Sequence, residues 1–180
     1  MLIGHTINIR HLQPSELDAW IAAKNDVATM GDFTTFQITS PVIVHNEFAQ
    51  NGLASDAMET FAIVGKFDQL IGTICHFPAT GYASARELGF SIFVNEFRNQ
   101  GIATEAVTLL VKYLFDNKPI NRLQIVMPVA HLACEKIALK CGFVKEGVAR
   151  GLLFIRGEYC DCNVYALLRN DVNNLQNNKN

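Results

Sequence analysis

Apolar and polar side chains alternate near the start of the chain, which predicts a strand followed by a helix. The alternation runs from Thr6 to Leu12 and has the two-residue period of a half-buried strand. Ser15 and Asp18 then have the S-x-x-D spacing that caps a helix. Beyond this cap, apolar side chains share one face of the predicted helix, at Leu17, Trp20 and Ile21.

The middle of the chain predicts an irregular region and then adjoining strands. Residues 25–58 have no clear period and are expected to form loops, with one short helix at about Val42–Gln50. Apolar runs then predict strands at Thr60–Lys66, Leu70–Phe77 and Glu87–Val94. Short connections favour antiparallel pairing between these neighbours.

The second half of the chain predicts two amphipathic helices and further strands. An apolar stripe runs from Gly101 to about Asn117, and the second helix, at residues 129–140, ends before Gly142. Strands are predicted on either side of that helix, at 122–128, 143–154 and 159–168. Together the elements predict an α/β (α+β) fold, a mixed, mostly antiparallel sheet of about six to seven strands flanked by helices.

Composition predicts one domain and argues against charged macromolecular partners. With 180 residues, 49% of them hydrophobic, the chain can fill one core, so residues 1–168 are expected to form a single domain and 169–180 a polar, frayed tail. Its 15 basic and 17 acidic residues form no block of like charge. Neither nucleic acid nor a membrane surface is therefore an expected partner.

The remaining compositional features favour a cytoplasmic protein with reduced thiols. The N-terminus has no apolar run of signal-peptide type, and no stretch is long enough to span a bilayer. The five cysteines are odd in number and mostly lie in apolar segments, which suits free thiols. Cys160 and Cys162 could hold a metal, but strand packing is the favoured interpretation, so no metal is expected.

The segment 97–106, FRNQGIATEA, places small residues where the longer helix should begin. A helix N-terminus has unpaired amides and partial positive charge, which attract phosphate. Gly101 lets a ligand approach the backbone, Ala103 is nearly as small, and Arg98 adds a charge. An ordinary helix start would have the same pattern. A dinucleotide fingerprint is a closer rival, but a six-residue connection, 95–100, and the lack of a suitably placed acid count against it.

The same corner resembles the Q/R-x-x-G-x-G/A signature of the Gcn5-related N-acetyltransferases, with Arg98, Gly101 and Ala103 at the signature positions. It is most similar to the branch that includes ribosomal-protein N-terminal alanine acetyltransferases. The likeness continues in the family's order from Ile7 to Leu168. It includes the segments INIRHLQPSELDAW, AIVGKFDQLIGTICHF, ACEKIALKCGFVKEGVARG and GEYCDCNVYAL.

This resemblance implies a GNAT-like fold that binds acetyl-coenzyme A between a splayed central strand pair, here 89–94 and 123–128. The pantetheine arm would run beside Phe93 and Val94, and His131 stands where the family commonly has a pantetheine-binding asparagine. The diphosphate would be held at the helix corner, beside Arg98, by the backbone amides of Asn99, Gln100, Gly101, Ile102, Ala103 and Thr104.

The resemblance also implies roles in catalysis. Glu87 has the spacing from Arg98 at which a related branch carries its general base, although a solvated glutamate at a strand end is an equal alternative. A common tyrosine acid is replaced by Ala138, and Cys134 stands where the ribosomal-protein branch tends to have serine. Cys134 could donate to the leaving thiolate or simply pack in the core, and Tyr159 could face the cleft or serve as a strand aromatic.

The function expected from these residues is acetyl transfer from acetyl-coenzyme A to a primary amine by direct attack. A protein N-terminal α-amine is favoured, because it titrates below a lysine side chain. A polyamine or aminoglycoside acceptor, a non-catalytic acyl-coenzyme A sensor and a nucleotide-dependent oxidoreductase are the alternatives. The acceptor is expected to be a peptide or small molecule, and the protein a monomer or homodimer.

Overall fold

Eight strands form one continuous sheet in the computed structural model, which describes residues 1–82 and 84–172. Its neighbours lie in the order β1-β2-β3-β4-β5-β6-β8-β7, and only β5 and β6 are parallel. The predicted mixed, mostly antiparallel sheet is therefore confirmed. Numbered in chain order, the strands are β1 (Leu2–Ile3), β2 (Asn8–His11), β3 (Glu59–Val64), β4 (Leu70–Pro78), β5 (Ala85–Ile92), β6 (Arg122–Pro128), β7 (Val144–Ile155) and β8 (Glu158–Leu168).

The sheet has one strand more than predicted because β1 is too short to show a period. Leu2 and Ile3 pair with Ile9 and Asn8 of β2. A strand of two residues carries no alternation that could be recognised in a sequence. The prediction of six to seven strands is corrected to eight for that reason.

Helices lie on both faces of the sheet. They are α1 (Leu17–Asn25), α2 (Val27–Met30), α3 (Pro41–Asn51), α4 (Ile102–Asn117) and α5 (Leu132–Lys140). The turn before α1 is stabilised by Glu16, whose carboxylate accepts hydrogen bonds from the Gln13 amide (2.8 Å) and from Arg10. This arrangement replaces the predicted cap at Ser15 and Asp18.

Strand alternation divides the buried apolar residues into two cores. In β3, Phe61 and Ile63 pack on the face covered by α4, whereas Ala62 and Val64 pack on the face covered by α1 and α3. Helix α4 buries a continuous stripe against the first face, so its position and its N-terminus are fixed relative to β5.

The strands β5 and β6 separate after a short parallel contact. Ala85, Arg86 and Glu87 pair with 122–124, and the pairing ends at Glu87 and Gln124. Beyond that point the two strands diverge, which leaves one edge of β5 without a strand partner from Leu88 to Ile92. The predicted splayed pair is therefore present, and Glu87 stands at its apex.

The end of the described chain is tied to the fold. Residues 169–172 of the predicted tail are helical, and Arg169 donates hydrogen bonds to the carbonyls of Lys118 (2.8 Å) and Ile120 (3.0 Å). A depression of about 520 Å³ lies beside Arg169, at the C-terminal end of α4. The rest of the predicted tail, 173–180, lies outside the described residues.

Two further sequence predictions can be compared with the structure. All five cysteines are free thiols, as predicted. In the described ranges, no helix has both the length and the apolar character needed to cross a bilayer.

Candidate active site

A cavity of about 490 Å³ lies beside the unpaired end of β5. Its walls come from residues 29–34, from Phe90–Ile92 on β5, from the first turn of α4 and from one face of α5. The cavity therefore forms where the splayed strands leave room between α4 and α5.

The backbone amides before and within the first turn of α4 form one end of this cavity. Asn99 has φ 62° and Gly101 has φ 82°, so the chain makes two left-handed steps before the helix begins. Within the described residues, the amides of 99–104 have no hydrogen-bond partner. Several neighbouring amides at a positive helix terminus form an anion site, so this corner fits a diphosphate.

Gly101 is required at this corner by its conformation. Its positive φ is in the region that side chains other than glycine rarely adopt. A Cβ atom placed there would have no protein atom within 4 Å, so the space above the residue is open to a ligand. Both properties agree with the predicted close approach of a phosphate to the backbone.

Arg98 lies on the wall of the cavity, but much of its guanidinium is already used by the protein. Its Nε donates to the Ile92 carbonyl (3.0 Å) and its Nη2 donates to the Thr29 carbonyl (2.8 Å). Arg98 therefore fastens the end of β5 and helix α2 to the corner, a structural role that the sequence did not predict.

Two lysines on α5 line the cavity and were missed by sequence reasoning. Lys136 and Lys140 lie one helical turn apart on the face that also presents Ala133 and Ile137 to the cavity. The i, i+3, i+4, i+7 spacing of these four residues was the available signal. Two exposed ammonium groups add positive charge where a phosphate-bearing ligand would extend.

His131 immediately precedes α5 and lies on the wall of the cavity. Its ring stacks on Phe33 with a centroid distance of 4.6 Å. Burial lowers the pKa of the imidazole below its ordinary value, which favours the neutral ring. Its Nδ1 is buried without a hydrogen-bond partner in the described residues, which leaves an unsatisfied polar atom at the wall of the cavity.

Phe93 and Val94 are not on the cavity wall. The amide of Phe93 donates to the Ile71 carbonyl (2.9 Å), and its side chain packs against the core beneath α1 and α3. Phe90 and Ile92 contribute to the wall instead. The side chain of Gln100 turns back to the Glu96 carbonyl, so only the backbone of Gln100 is available at the corner.

Glu87 lies at the apex of the splayed strands, on the face opposite α4. Leu88 packs beneath α4, so strand alternation directs Glu87 to the other face. Gln124 of β6 lies opposite it, and its Nε2 donates to the Glu87 carboxylate (2.8 Å). Burial raises the pKa of the Glu87 carboxyl, while the bond from Gln124 acts in the opposite direction.

The matching family model is the acetyltransferase (GNAT) domain, and it covers residues 6–144. The chain belongs to the GNAT acetyltransferase family. The match includes β2 to β6, α4 and α5, and thus every element that forms the cavity. The resemblance seen in the sequence is confirmed, and with it the class of acetyl-coenzyme A-dependent N-acetyltransferase.

One curated relative of the GNAT family aligns with nearly the whole chain. A probable N-acetyltransferase of Bacillus subtilis, YjcK, is 35% identical in an alignment 183 positions long that covers 95% of this chain and 98% of the relative. Two other curated relatives align over only 56% and 46% of their own length. The shared length with YjcK therefore supports family membership along the full fold.

Solved GNAT structures have the same fold and differ in their acceptors. The ribosomal L7/L12 alpha-N-protein acetyltransferase RimL, solved with coenzyme A, has a TM-score of 0.79 at 19% identity and covers 92% of this chain and 96% of its own. A spermidine N-acetyltransferase of Vibrio cholerae, solved with coenzyme A and spermine, has a TM-score of 0.81 at 18% identity and covers 92% and 97%. At such identities the likeness shows the fold alone.

Cys134 and Tyr159 do not line the cavity. They are the residues for which the sequence left open a role as acid or a place in the cleft. Cys134 is 8% exposed within the core beneath α4, and burial raises the pKa of its thiol to about 12. This placement favours packing over a role as acid. Tyr159 is 75% exposed and lies against Phe154 at a centroid distance of 5.0 Å, so it serves as a surface strand aromatic.

Proposed function

We propose that the protein transfers the acetyl group of acetyl-coenzyme A to the α-amino group of a peptide or protein N-terminus. The observation that carries this proposal is the set of amides at 99–104, which lack partners in the described chain and border the cavity beside β5. A donor held there by its diphosphate would extend into the gap that has Glu87 at its apex.

The residues present fit such a donor. The amides from Asn99 to Thr104 would bind the diphosphate, and Arg98 would keep that corner in place. His131 would lie beside the pantetheine arm, and the edge of β5 that lacks a strand partner, at Phe90 to Ile92 rather than at Phe93 and Val94, would pair with the amides of that arm as an added strand would. Lys136 and Lys140 would contribute electrostatic attraction for the phosphates.

Glu87 would act as the general base. When bound, acetyl-coenzyme A supplies a thioester whose C–S bond breaks as the amine forms the new C–N bond. The Glu87 carboxylate would accept the proton that the amine loses, directly or through one water. Its raised pKa brings the base closer to neutral pH, where proton transfer is most efficient. Cys134 is not needed as an acid, because the sulfur of coenzyme A can leave as a thiolate and take up a proton from water afterwards.

The charges around the cavity support an acceptor with a single amino group. Asp32 is the only carboxylate on its wall among the described residues, and Asp32 is already paired with Arg156 (2.8 Å). A neighbouring cavity of about 370 Å³ shares Met30 and Thr34 and contains Arg156 but no carboxylate. A polyamine or aminoglycoside would find little negative charge there, whereas a peptide α-amine, with a pKa of about 8, brings one charge that is readily lost.

The test is release of the free coenzyme A thiol from acetyl-coenzyme A in the presence of a panel of acceptors. The panel would contain dipeptides and longer peptides with free N-termini, matched N-blocked peptides, spermidine, spermine and an aminoglycoside. We expect release with free N-termini and none with the blocked peptides. Faster turnover of a polyamine would overturn the acceptor assignment, and tight coenzyme A binding without any turnover would favour the sensor.

A further inference from the structure

A chain of hydrogen bonds extends from the proposed base across β6. Gln124 Nε2 donates to Glu87 (2.8 Å), and Gln124 Oε1 accepts from Arg122 Nη2 (3.4 Å). Arg122 and Gln124 are two residues apart on one strand, so their side chains lie on the same face of the sheet as Glu87. Both are largely buried, at 8% and 6% exposed.

The chemistry of these groups allows one arrangement when Glu87 is ionised. A carboxylate only accepts hydrogen bonds and a guanidinium only donates them. Gln124 must therefore present its amide nitrogen to Glu87 and its oxygen to Arg122. If Glu87 were protonated, its hydroxyl could donate a hydrogen bond to Gln124 Oε1 only after the amide turned over. The Gln124 nitrogen would then face Arg122, and two donors would oppose each other.

Arg122 is itself held firmly. Its Nη1 and Nη2 donate to the two carboxylate oxygens of Glu146 at 2.8 Å and 2.6 Å, and its guanidinium lies 4.4 Å from the centre of the Tyr82 ring. Such a two-bond pair fixes the plane of the guanidinium. The guanidinium in turn fixes the orientation of the Gln124 amide, because it holds Oε1 while Nε2 points to Glu87.

We propose that Gln124 and Arg122 are positioning residues for acetyl transfer, which hold Glu87 in the ionised form that accepts a proton. The proposal rests on the proposed role of Glu87 as base. Gln124 supplies the bond that favours the carboxylate, and Arg122 prevents the amide from turning to favour the neutral acid. Neither side chain needs to contact the substrates.

Other titratable groups on this face do not provide the same control. Cys75 of β4 pairs with Gly89, next but one to Glu87, and burial raises the pKa of its thiol to about 11, so it is neutral at physiological pH. Lys24 of α1 lies over the Trp20 ring at 4.7 Å. The bond from Gln124 is the contact that opposes the effect of burial on Glu87.

The test is the titration of the Glu87 carboxyl by NMR with ¹³C-labelled glutamate, alongside the pH profile of kcat/KM. Gln124→Met should move the Glu87 titration and the acidic limb of the profile to higher pH by about one unit, as expected for loss of one hydrogen bond to a charged group. Arg122→Met should move both in the same direction by no more than that, because it leaves the Gln124 amide free to turn away from the carboxylate. Arg122→Lys should retain part of the wild-type position, because an ammonium can still donate to Gln124.

Controls and a double variant separate positioning from other effects. Exposed residues provide matched controls, Gln50→Met and Arg150→Met, which should leave both titrations unchanged. Because Arg122 is proposed to act through Gln124, the double variant Gln124→Met with Arg122→Met should shift no further than Gln124→Met alone. A further shift in the double variant would overturn the proposal by showing that Arg122 acts directly.

Failure of this inference can be told from failure of the proposed function. If the enzyme turns over and Glu87→Gln removes the acidic limb, but neither variant moves it, the positioning role alone is overturned. If the wild-type protein releases no coenzyme A thiol with any amine, the proposed function fails, and the positioning role for acetyl transfer fails with it. An unmoved Glu87 titration in both single variants would overturn the network without reference to turnover.

Discussion

At the scale of single residues, Glu87 shows how position converts an ordinary carboxylate into a candidate base. It is placed at the last pair of the short β5–β6 contact, where burial raises the pKa of its carboxyl. Glu87→Gln keeps the shape and removes the proton acceptor, so kcat should fall by about 10²-fold or more while the KM for acetyl-coenzyme A changes little. Steady-state kinetics would check this, with exposed Glu47→Gln as control; an unchanged kcat would contradict the assignment.

Gly101 provides a second residue-scale prediction. In Gly101→Ala the side chain meets no protein atom, but the positive φ is strained by on the order of 1 kcal/mol. If the corner shifts to relieve that strain, its amides lose their alignment and coenzyme A should bind about tenfold more weakly. Gly52→Ala has the same kind of φ, 66°, at the end of α3 and is the matched control. Calorimetric titration should show weaker binding in Gly101→Ala only; equal affinities would argue against this corner.

At the scale of elements, helix α5 presents a positive face to the cavity through Lys136 and Lys140. The double variant Lys136→Ala with Lys140→Ala should weaken coenzyme A binding by about three- to tenfold and reduce its dependence on salt concentration. Lys112→Ala is the control, because Lys112 lies on α4 in an exposed pair with Asp116. Binding titrations at two ionic strengths test this; an unchanged salt dependence would show that α5 does not contact the phosphates.

The elements also show which features could be predicted from the sequence. The corner before α4 was predictable because its conformation depends on neighbouring residues, chiefly Gly101. The segment 29–34 was not, because its place beside the cavity depends on contacts between distant residues, from Arg98 to Thr29 and from Phe33 to His131. The partner of Glu87, Gln124, likewise follows from the register of one parallel strand pair, which no local pattern encodes.

At the scale of the whole molecule, the fold provides a site that should distinguish between nucleotide ligands. A ligand that binds only the folded state raises the midpoint of thermal unfolding, and at a given concentration a tighter ligand raises it further. Coenzyme A and acetyl-coenzyme A should raise that midpoint, and a nicotinamide dinucleotide at the same concentration should not. A differential scanning measurement would check this, and the reverse order would favour the oxidoreductase that the sequence left open.

The fold class was predictable at this scale because periodic strands and helices occur in a recognisable order, and one strand was missed because β1 has no period. Cys134 was harder to judge, since its spacing matched a candidate acid while its helix face is buried. Spacing along a chain does not determine which side of a helix meets the core until the neighbouring elements are placed.

The central claim is that the amides opening α4 bind the diphosphate of acetyl-coenzyme A. The most direct measurement is a crystal structure of the protein with coenzyme A. The account predicts diphosphate oxygens within hydrogen-bond distance, about 2.7–3.2 Å, of backbone nitrogens between Asn99 and Thr104. A diphosphate bound elsewhere on the molecule would contradict it.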